Sequence, residues 1–163
     1  MGSCKLPHSD FHWLTHEEMQ QLDIKNFNSD GSVGLILQCD LQYPEHLHDK
    51  HKYYPLAPEA LSITYDMLSP HALNFLEKNK VNFSTQTRLV GSVKDKIAYT
   101  LHIKNLQFYL KEGLKVTKIH RVISFHQSAW LKPFIDFNIN KRREAKTEFL
   151  SALYKLVCNS VFG

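Results

Sequence analysis

The sequence contains no run of about 18 apolar residues, roughly the shortest stretch that spans a membrane as a helix. A membrane is therefore not expected among the partners of this protein. The first seven residues, MGSCKLP, lack the apolar centre of a signal peptide, so we expect an intracellular location. Internal repeats and low-complexity segments are also absent, and 163 residues suffice for one globular domain.

Cysteine is scarce as well. The three cysteines, Cys4, Cys39 and Cys158, are odd in number, lie far apart and show no metal-binding spacing. This pattern argues against a disulfide framework and favours a reducing compartment. Neither charge sign dominates, because 20 lysines and arginines accompany 16 aspartates and glutamates, for a formal net charge of +4. This weakly basic balance permits a nucleic-acid partner but does not require one.

What the sequence does contain is a mixture of helical and strand patterns, which predicts an α+β fold. Thr15 and Glu18 form a capping box ahead of a short helix that extends to Leu22. Residues 33–42 place an apolar side chain at every second position, which predicts a strand packed on one side. The other predicted elements are a helix from Ser69-Pro70 to about Lys78, a strand over 96–103, a helix over 105–112 ended by Gly113, a strand over 114–125, and a short helix capped by Ser128 that holds Trp130.

The C-terminal stretch has the strongest pattern. From Asn140, which we assign as an N-cap, the chain has no proline and its only glycine is Gly163, so one continuous helix is predicted. At its start, Lys141-Arg142-Arg143 would lie near the positive end of the helix dipole, a small penalty that a bound phosphate, an acidic partner or solvation would offset. Apolar residues recur at three- and four-residue spacing and form a stripe that can pack on the body: Ala145, Phe149, Leu150, Leu153, Leu156, Val157 and Val161.

A different face of this predicted helix carries a motif. Lys155-Leu-Val-Cys-Asn159-Ser160-Val-Phe162-Gly163 resembles motif B of family B DNA polymerases, a lysine, three residues, Asn-Ser, one residue, and Tyr-Gly. In that family the motif lies on the fingers helix that faces the incoming nucleotide. The resemblance implies that Lys155 contacts the triphosphate and that Asn159 and Phe162 contact base and sugar. Phe162 replaces the usual tyrosine, so no role of the phenol hydroxyl is implied, and Arg143 is a further candidate for phosphate contact.

The resemblance extends over nearly the whole chain. Residues 34–44, 47–49, 54–59 and 114–131 are similar to blocks of the polymerases of Polinton (Maverick) DNA transposons, and Leu6-Pro7 with 11–14 is similar to the segment just downstream of motif A. It implies a partial polymerase palm with an insertion region over 1–140 and an amphipathic fingers helix over 141–163. It also implies template-directed deoxynucleotide transfer from a protein primer, in the nucleus. The implied partners are a DNA primer-template, deoxynucleoside triphosphates and a terminal protein primer.

The metal-binding carboxylates of that family are expected outside this chain. Motif A is an aspartate, four residues and a tyrosine, whereas Asp40 precedes Tyr43 by only three. We therefore expect motif A before Met1 and motif C after Gly163, with no catalytic residue and no metal ligand in between. Magnesium would be held by the parent enzyme, and the chain alone is predicted to be inactive. Asp40 is predicted to be a strand-end carboxylate with a structural partner.

Two other functions stay open at this point. A non-enzymatic nucleic-acid-binding or interaction protein derived from a transposon would share the same blocks. A small metallohydrolase would need a metal site, for which His46, His48 and His51 are the candidates. These histidines lie in a polar, proline-bounded loop over 43–58 with no second cluster to complete a site, so no metal site is predicted. Trp130 and the other aromatic residues are expected mainly in the core.

Overall fold

The computed structural model of the chain describes residues 4–161, which form a mixed α and β fold. The strands are β1 (Leu6–Trp13), β2 (Val33–Gln42), β3 (Glu59–Ser62), β4 (Thr87–Val90), β5 (Lys96–His102) and β6 (Lys115–Ser128). The helices are α1 (His16–Gln20), α2 (His48–His51), α3 (Pro70–Lys78), α4 (Ile103–Lys111), α5 (Lys132–Glu144) and α6 (Glu148–Asn159). Short 3-10 turns cover Glu45–Leu47 and Tyr65–Met67.

The strands form two sheets. Four strands pair in the order β1-β6-β2-β5, with β1 antiparallel to β6, and β3 pairs with β4 as an antiparallel two-stranded sheet. This confirms the predicted α+β class, whereas the palm assignment stays a prediction. None of the helices within residues 4–161 combines the length and apolar content needed to cross a bilayer.

The contacts divide the chain into two compact units. The first contains residues 4–37, 100–104 and 121–161, and the second contains 38–99 and 105–120. The first unit therefore includes β1, α1, α5 and α6, and the second includes α2, α3 and the β3–β4 sheet. Residues 140 and 141, where the expected fingers segment begins, both lie inside α5.

Strand β2 follows the predicted alternation. Leu35, Leu37, Cys39 and Leu41 are at most 2% exposed, so the apolar face is buried as expected. Burial raises the pKa of the Cys39 thiol to about 11, which makes it an unreactive apolar side chain.

The predicted caps of the short helices are also confirmed. The Thr15 side chain accepts from the Glu18 N–H and the Glu18 carboxylate accepts from the Thr15 N–H, so the capping box precedes α1. Ser69 caps α3, which has Pro70 in its first turn and ends at Lys78 as expected. Gly113 follows α4 with a φ of +108°, a conformation that favours glycine.

The prediction of one continuous C-terminal helix is wrong. The chain leaves the helix at Ala145, whose ψ is 123°, and Thr147 caps a second helix by accepting from the Leu150 N–H. Asn140 lies within α5 and is not an N-cap. Lys141-Arg142-Arg143 consequently occupies the last turn of α5, where the negative end of the helix dipole stabilises cations. The penalty expected for these charges is therefore absent.

Three further expectations differ from the structure. Ser128 ends β6, and Trp130 lies in the turn before α5 instead of in a helix of its own. The expected loop over 43–58 contains a 3-10 turn and α2. The sequence pattern does not indicate strands β1, β3 and β4, because β1 is irregular, with register shifts near Ser9, and β3 and β4 have only four residues each.

We expect Gly34→Ala to destabilise the protein, because Gly34 lies directly against a buried ring. An added Cβ would lie 2.2 Å from Cε2 of Phe125, which is 1% exposed. Overpacking of this kind costs about 1–3 kcal/mol of unfolding free energy, measurable by urea denaturation. Gly91→Ala is the matched control, since its Cβ would lie 3.4 Å from Cδ of Pro55, an ordinary contact. Equal stability of the two variants would contradict the close packing at Gly34.

Candidate nucleotide-binding surface

Helices α5 and α6 form a hairpin within the first unit. They pack against each other and are joined by residues 145–147. A connection this short between packed helices places them antiparallel. The hairpin therefore has one end at the connection and another end where α6 finishes at Asn159.

Lys155 and Asn159 lie on the same side of α6 because they are four residues apart. Both are exposed, and within residues 4–161 neither side chain has a hydrogen-bond or ion-pair partner. An ammonium and an amide thus project together into solvent, one turn apart. Phe162, the third residue of the predicted motif, lies outside the described residues.

Arg143 does not lie beside Lys155 and Asn159. It is exposed in the last turn of α5, at the connection end of the hairpin. The helical rise from Glu148 to Asn159 is roughly 16 Å, which places Arg143 and Asn159 at opposite ends. Any phosphate that Arg143 contacts would therefore lie away from a ligand held by Asn159. Arg142 and Lys146 are exposed near the same connection.

The apolar stripe of α6 is largely uncovered within the part of the chain that the structure describes. Phe149 is 74% exposed, Leu156 is 65% exposed and Leu153 is 41% exposed. The half-buried side of α6 instead carries Tyr154 and Cys158. Exposed apolar surface of this extent typically marks an interaction site or promotes association.

Asp40, the carboxylate that the sequence singled out, has structural partners within the second unit. One of its oxygens accepts from the Ala98 N–H at 2.7 Å and lies 2.7 Å from Nε2 of His120. The Ala98 N–H and His120 hold the pKa of the Asp40 carboxyl below its usual value. Ala98 has a φ of +51°, which is strained for a residue with a Cβ. Asp40 therefore stabilises an unfavourable backbone conformation in β5, as a structural carboxylate would.

The carboxylates of residues 4–161 are not gathered into a magnesium site. Within residues 4–161, no group of three or more histidine, cysteine, aspartate or glutamate side chains is arranged to hold a metal ion. Asp40 already binds a backbone N–H and a histidine. No step of a metal-dependent reaction is therefore assigned to these residues.

The histidine-rich loop is organised around Tyr43. Its hydroxyl lies 2.8 Å from Nδ1 of His51 and accepts from the Leu56 N–H at 3.2 Å. Nε2 of His48 lies 3.2 Å from the Tyr43 carbonyl oxygen, while His46 is exposed. His48 and His51 thus pack the loop. Tyr43 and His48 also line an open pocket of ≈ 540 Å³ whose other residues are Gln42, Pro44, Glu45, Val93, Lys94 and Asp95.

Sequence reasoning missed two contacts. Lys96 is a buried cation, with its ammonium 2.8 Å from Oε1 of Glu59 and 2.6 Å from Oγ of Ser92. The guanidinium of Arg121 lies over the Trp13 ring, 5.1 Å from its centroid. No local pattern indicates the contact of Lys96 with Glu59 or that of Arg121 with Trp13, since these partners lie far apart in sequence. The expectation of mainly buried aromatic rings is wrong for Trp130 and several others, since Trp130 is 53% exposed.

Comparison of the chain with protein-family models, curated proteins and solved structures finds no match. A functional hypothesis therefore depends on the contacts described above and on the motif that Lys155 and Asn159 belong to.

Replacing Asp40 with Asn should lower stability at neutral pH. The carboxyl has a depressed folded-state pKa, so its contribution is present above its ordinary value of 3.8 and is lost as pH falls through the folded value. We therefore expect the free energy of unfolding, measured by urea denaturation, to be lower for Asp40→Asn than for the unaltered protein at neutral pH. This difference should shrink in acid. Asp49→Asn is the control, because the Asp49 side chain is 98% exposed. A deficit that is the same at both pH values would contradict the ionic role of Asp40.

Proposed function

We propose that this chain is a segment of a family B DNA polymerase resembling those of Polinton transposons, in which α6 binds the incoming deoxynucleotide. The observation that carries this proposal is the exposed pair of Lys155 and Asn159, one helical turn apart and without partners in residues 4–161. Their positions match the lysine and asparagine of motif B.

The chemistry of the pair suits a nucleoside triphosphate. The Lys155 ammonium is a compact point charge that neutralises phosphate oxygens, where charge builds during phosphoryl transfer. The Asn159 amide has both donor and acceptor groups for base and sugar, without selecting one base. Arg143 lies at the far end of the hairpin, so its phosphate partner would be another part of the substrate or the DNA backbone.

Within this proposal the chain contributes binding and leaves the chemistry to other parts of the enzyme. Two magnesium ions held by carboxylates of motifs A and C would supply the metal chemistry. Residues 34–138 would lie in and around the insertion between motifs A and B and would help hold the DNA primer-template and a terminal protein primer. Activity would be nuclear.

A second candidate function is an interaction protein without enzymatic activity. The observation that favours it is the uncovered ridge of Phe149, Leu153 and Leu156 on α6. The transcript sequence on either side of this frame separates the two functions. Segments like motifs A and C would support the polymerase, and an intact expressed frame without them would support the interaction protein.

We expect the isolated chain to show no primer extension with magnesium or manganese. Two-metal transfer needs clustered metal-binding carboxylates, and residues 4–161 contain no group of three or more histidine, cysteine, aspartate or glutamate side chains arranged to hold a metal ion. The measurement is extension of a labelled primer on a template, with an intact family B polymerase as the positive control. Extension by the purified chain that disappears on Asp40→Asn would show that Asp40 is catalytic and would overturn its structural assignment.

In a polymerase that contains this segment, we expect Lys155→Ala to lower kcat/KM. One charge-assisted hydrogen bond is worth roughly 1.5–3 kcal/mol, which corresponds to a loss of roughly ten- to hundredfold. The loss should be similar for all four nucleotides, because a phosphate contact does not sense the base. Single-nucleotide incorporation kinetics on matched templates measure it.

Two variants control this experiment. Lys155→Arg should restore activity only partly, because a planar guanidinium differs in shape from an ammonium. Lys25→Ala removes an exposed cation outside α6 and should leave kcat/KM unchanged. Unchanged kinetics for Lys155→Ala, or a defect confined to one base, would remove the main support for the polymerase proposal.

A further inference from the structure

The first unit presents an exposed aromatic–cation pair on its sheet. Trp13 ends β1 opposite Ile123 of β6, and Arg121 lies two residues from Ile123 on the same strand. Cross-strand partners share a face, so the side chains of Trp13 and Arg121 meet diagonally. The guanidinium lies 5.1 Å from the indole centroid, yet Trp13 is still 57% exposed. The pair is therefore built by the sheet and still accessible to a ligand.

A second exposed ring lies beside this pair. Phe11, which precedes Trp13 by two residues in β1, is 56% exposed. Its ring centroid lies 5.8 Å from that of Phe125, which is buried, so Phe11 is anchored on the core. β1 is the edge strand of the four-stranded sheet. Two large rings and a guanidinium thus lie together at an open sheet edge.

The nearby acidic groups are mostly engaged. Oδ2 of Asp10 lies 2.7 Å from Nδ1 of His126. The Glu18 carboxylate accepts from the Thr15 N–H at 2.8 Å as part of the capping box. Glu17 is exposed in the first turn of α1.

We propose that Trp13 and Arg121 form a stacking platform for the bases of a single-stranded nucleic acid. An indole face stacks on any base, and a guanidinium beside it adds cation–π stabilisation and charge for the adjoining phosphate. Sheets that bind single strands present exposed aromatic rings in this way. The platform lies on β1 and β6 and is independent of Lys155 on α6, so either proposal can fail without the other.

The described residues contain another aromatic–cation pair that serves as a matched control. Lys52 lies 5.6 Å from the centroid of the Tyr53 ring, and Tyr53 is 79% exposed. Lys52 also pairs with Asp49 at 3.6 Å, which offsets its charge. Tyr53 lies in a turn outside the sheets, and an ammonium has no planar face to stack. We therefore expect this pair to contribute little to binding.

Tryptophan fluorescence gives a direct test, because the chain has only two tryptophans. In a Trp130→Phe background Trp13 is the sole indole, and an oligothymidylate about 12 nucleotides long, a length within typical single-strand sites, should quench its emission.

The affinity is then measured by fluorescence anisotropy of the same oligonucleotide carrying a label. Trp13→Leu should weaken binding about 5- to 150-fold, the range for one stacked base, whereas Trp13→Tyr should retain most of the affinity. Arg121→Gln should reduce the slope of log K against log salt by about 0.7, as expected for one lost contact to a single strand.

The controls decide between stacking and simple charge attraction. Tyr53→Leu should bind as the unaltered protein does, and melting temperatures of all variants should agree because the altered side chains are exposed. Quenching by duplex DNA or inorganic polyphosphate equal to that by the single strand would overturn the proposal. So would unchanged affinity of a folded Trp13→Leu variant, or an equal loss in Tyr53→Leu.

Discussion

The burial of one face of β2 is the constraint on which the rest of the structure depends. Its alternate side chains from Leu35 to Leu41 are almost completely inaccessible, and β2 lies between β6 and β5 in the four-stranded sheet. A slip of one residue would turn this apolar set to the opposite face, so burial determines the register. In the first unit this register places Gly34 against Phe125. In the second it brings Asp40 to His120.

The division of the C-terminal segment into two helices changes the chemistry of the candidate surface. A single helix would carry Arg143 and Lys155 along one rod and leave the basic cluster at a positive dipole end. The hairpin instead places the cluster at the negative end of α5. Arg143 lies at the connection end of the hairpin and Asn159 at the other end, so the Lys155–Asn159 pair does not include the arginine.

For several polar and aromatic side chains, the residue type alone does not indicate the role that the side chain has in the structure. His48 and His51 have the residue types of metal ligands, yet they surround Tyr43 and stabilise a loop. Trp13 has the residue type of a core side chain, yet it lies at a sheet edge beneath Arg121. In each case the neighbours, and not the residue type, determine what the side chain does.

The sequence by itself determined the elements whose cause is local. The capping box at Thr15, the Ser69-Pro70 start of α3 and the alternation of β2 each depend on neighbouring residues, so the place where each element begins could be predicted. The placement of Lys155 and Asn159 on one side of α6 also follows from their helical spacing. Only the tertiary structure decided the break at 145–147, since no proline or glycine requires it and packing of α6 on α5 accompanies it. It likewise decided the Trp13–Arg121 contact, because cross-strand register joins residues that no local pattern relates.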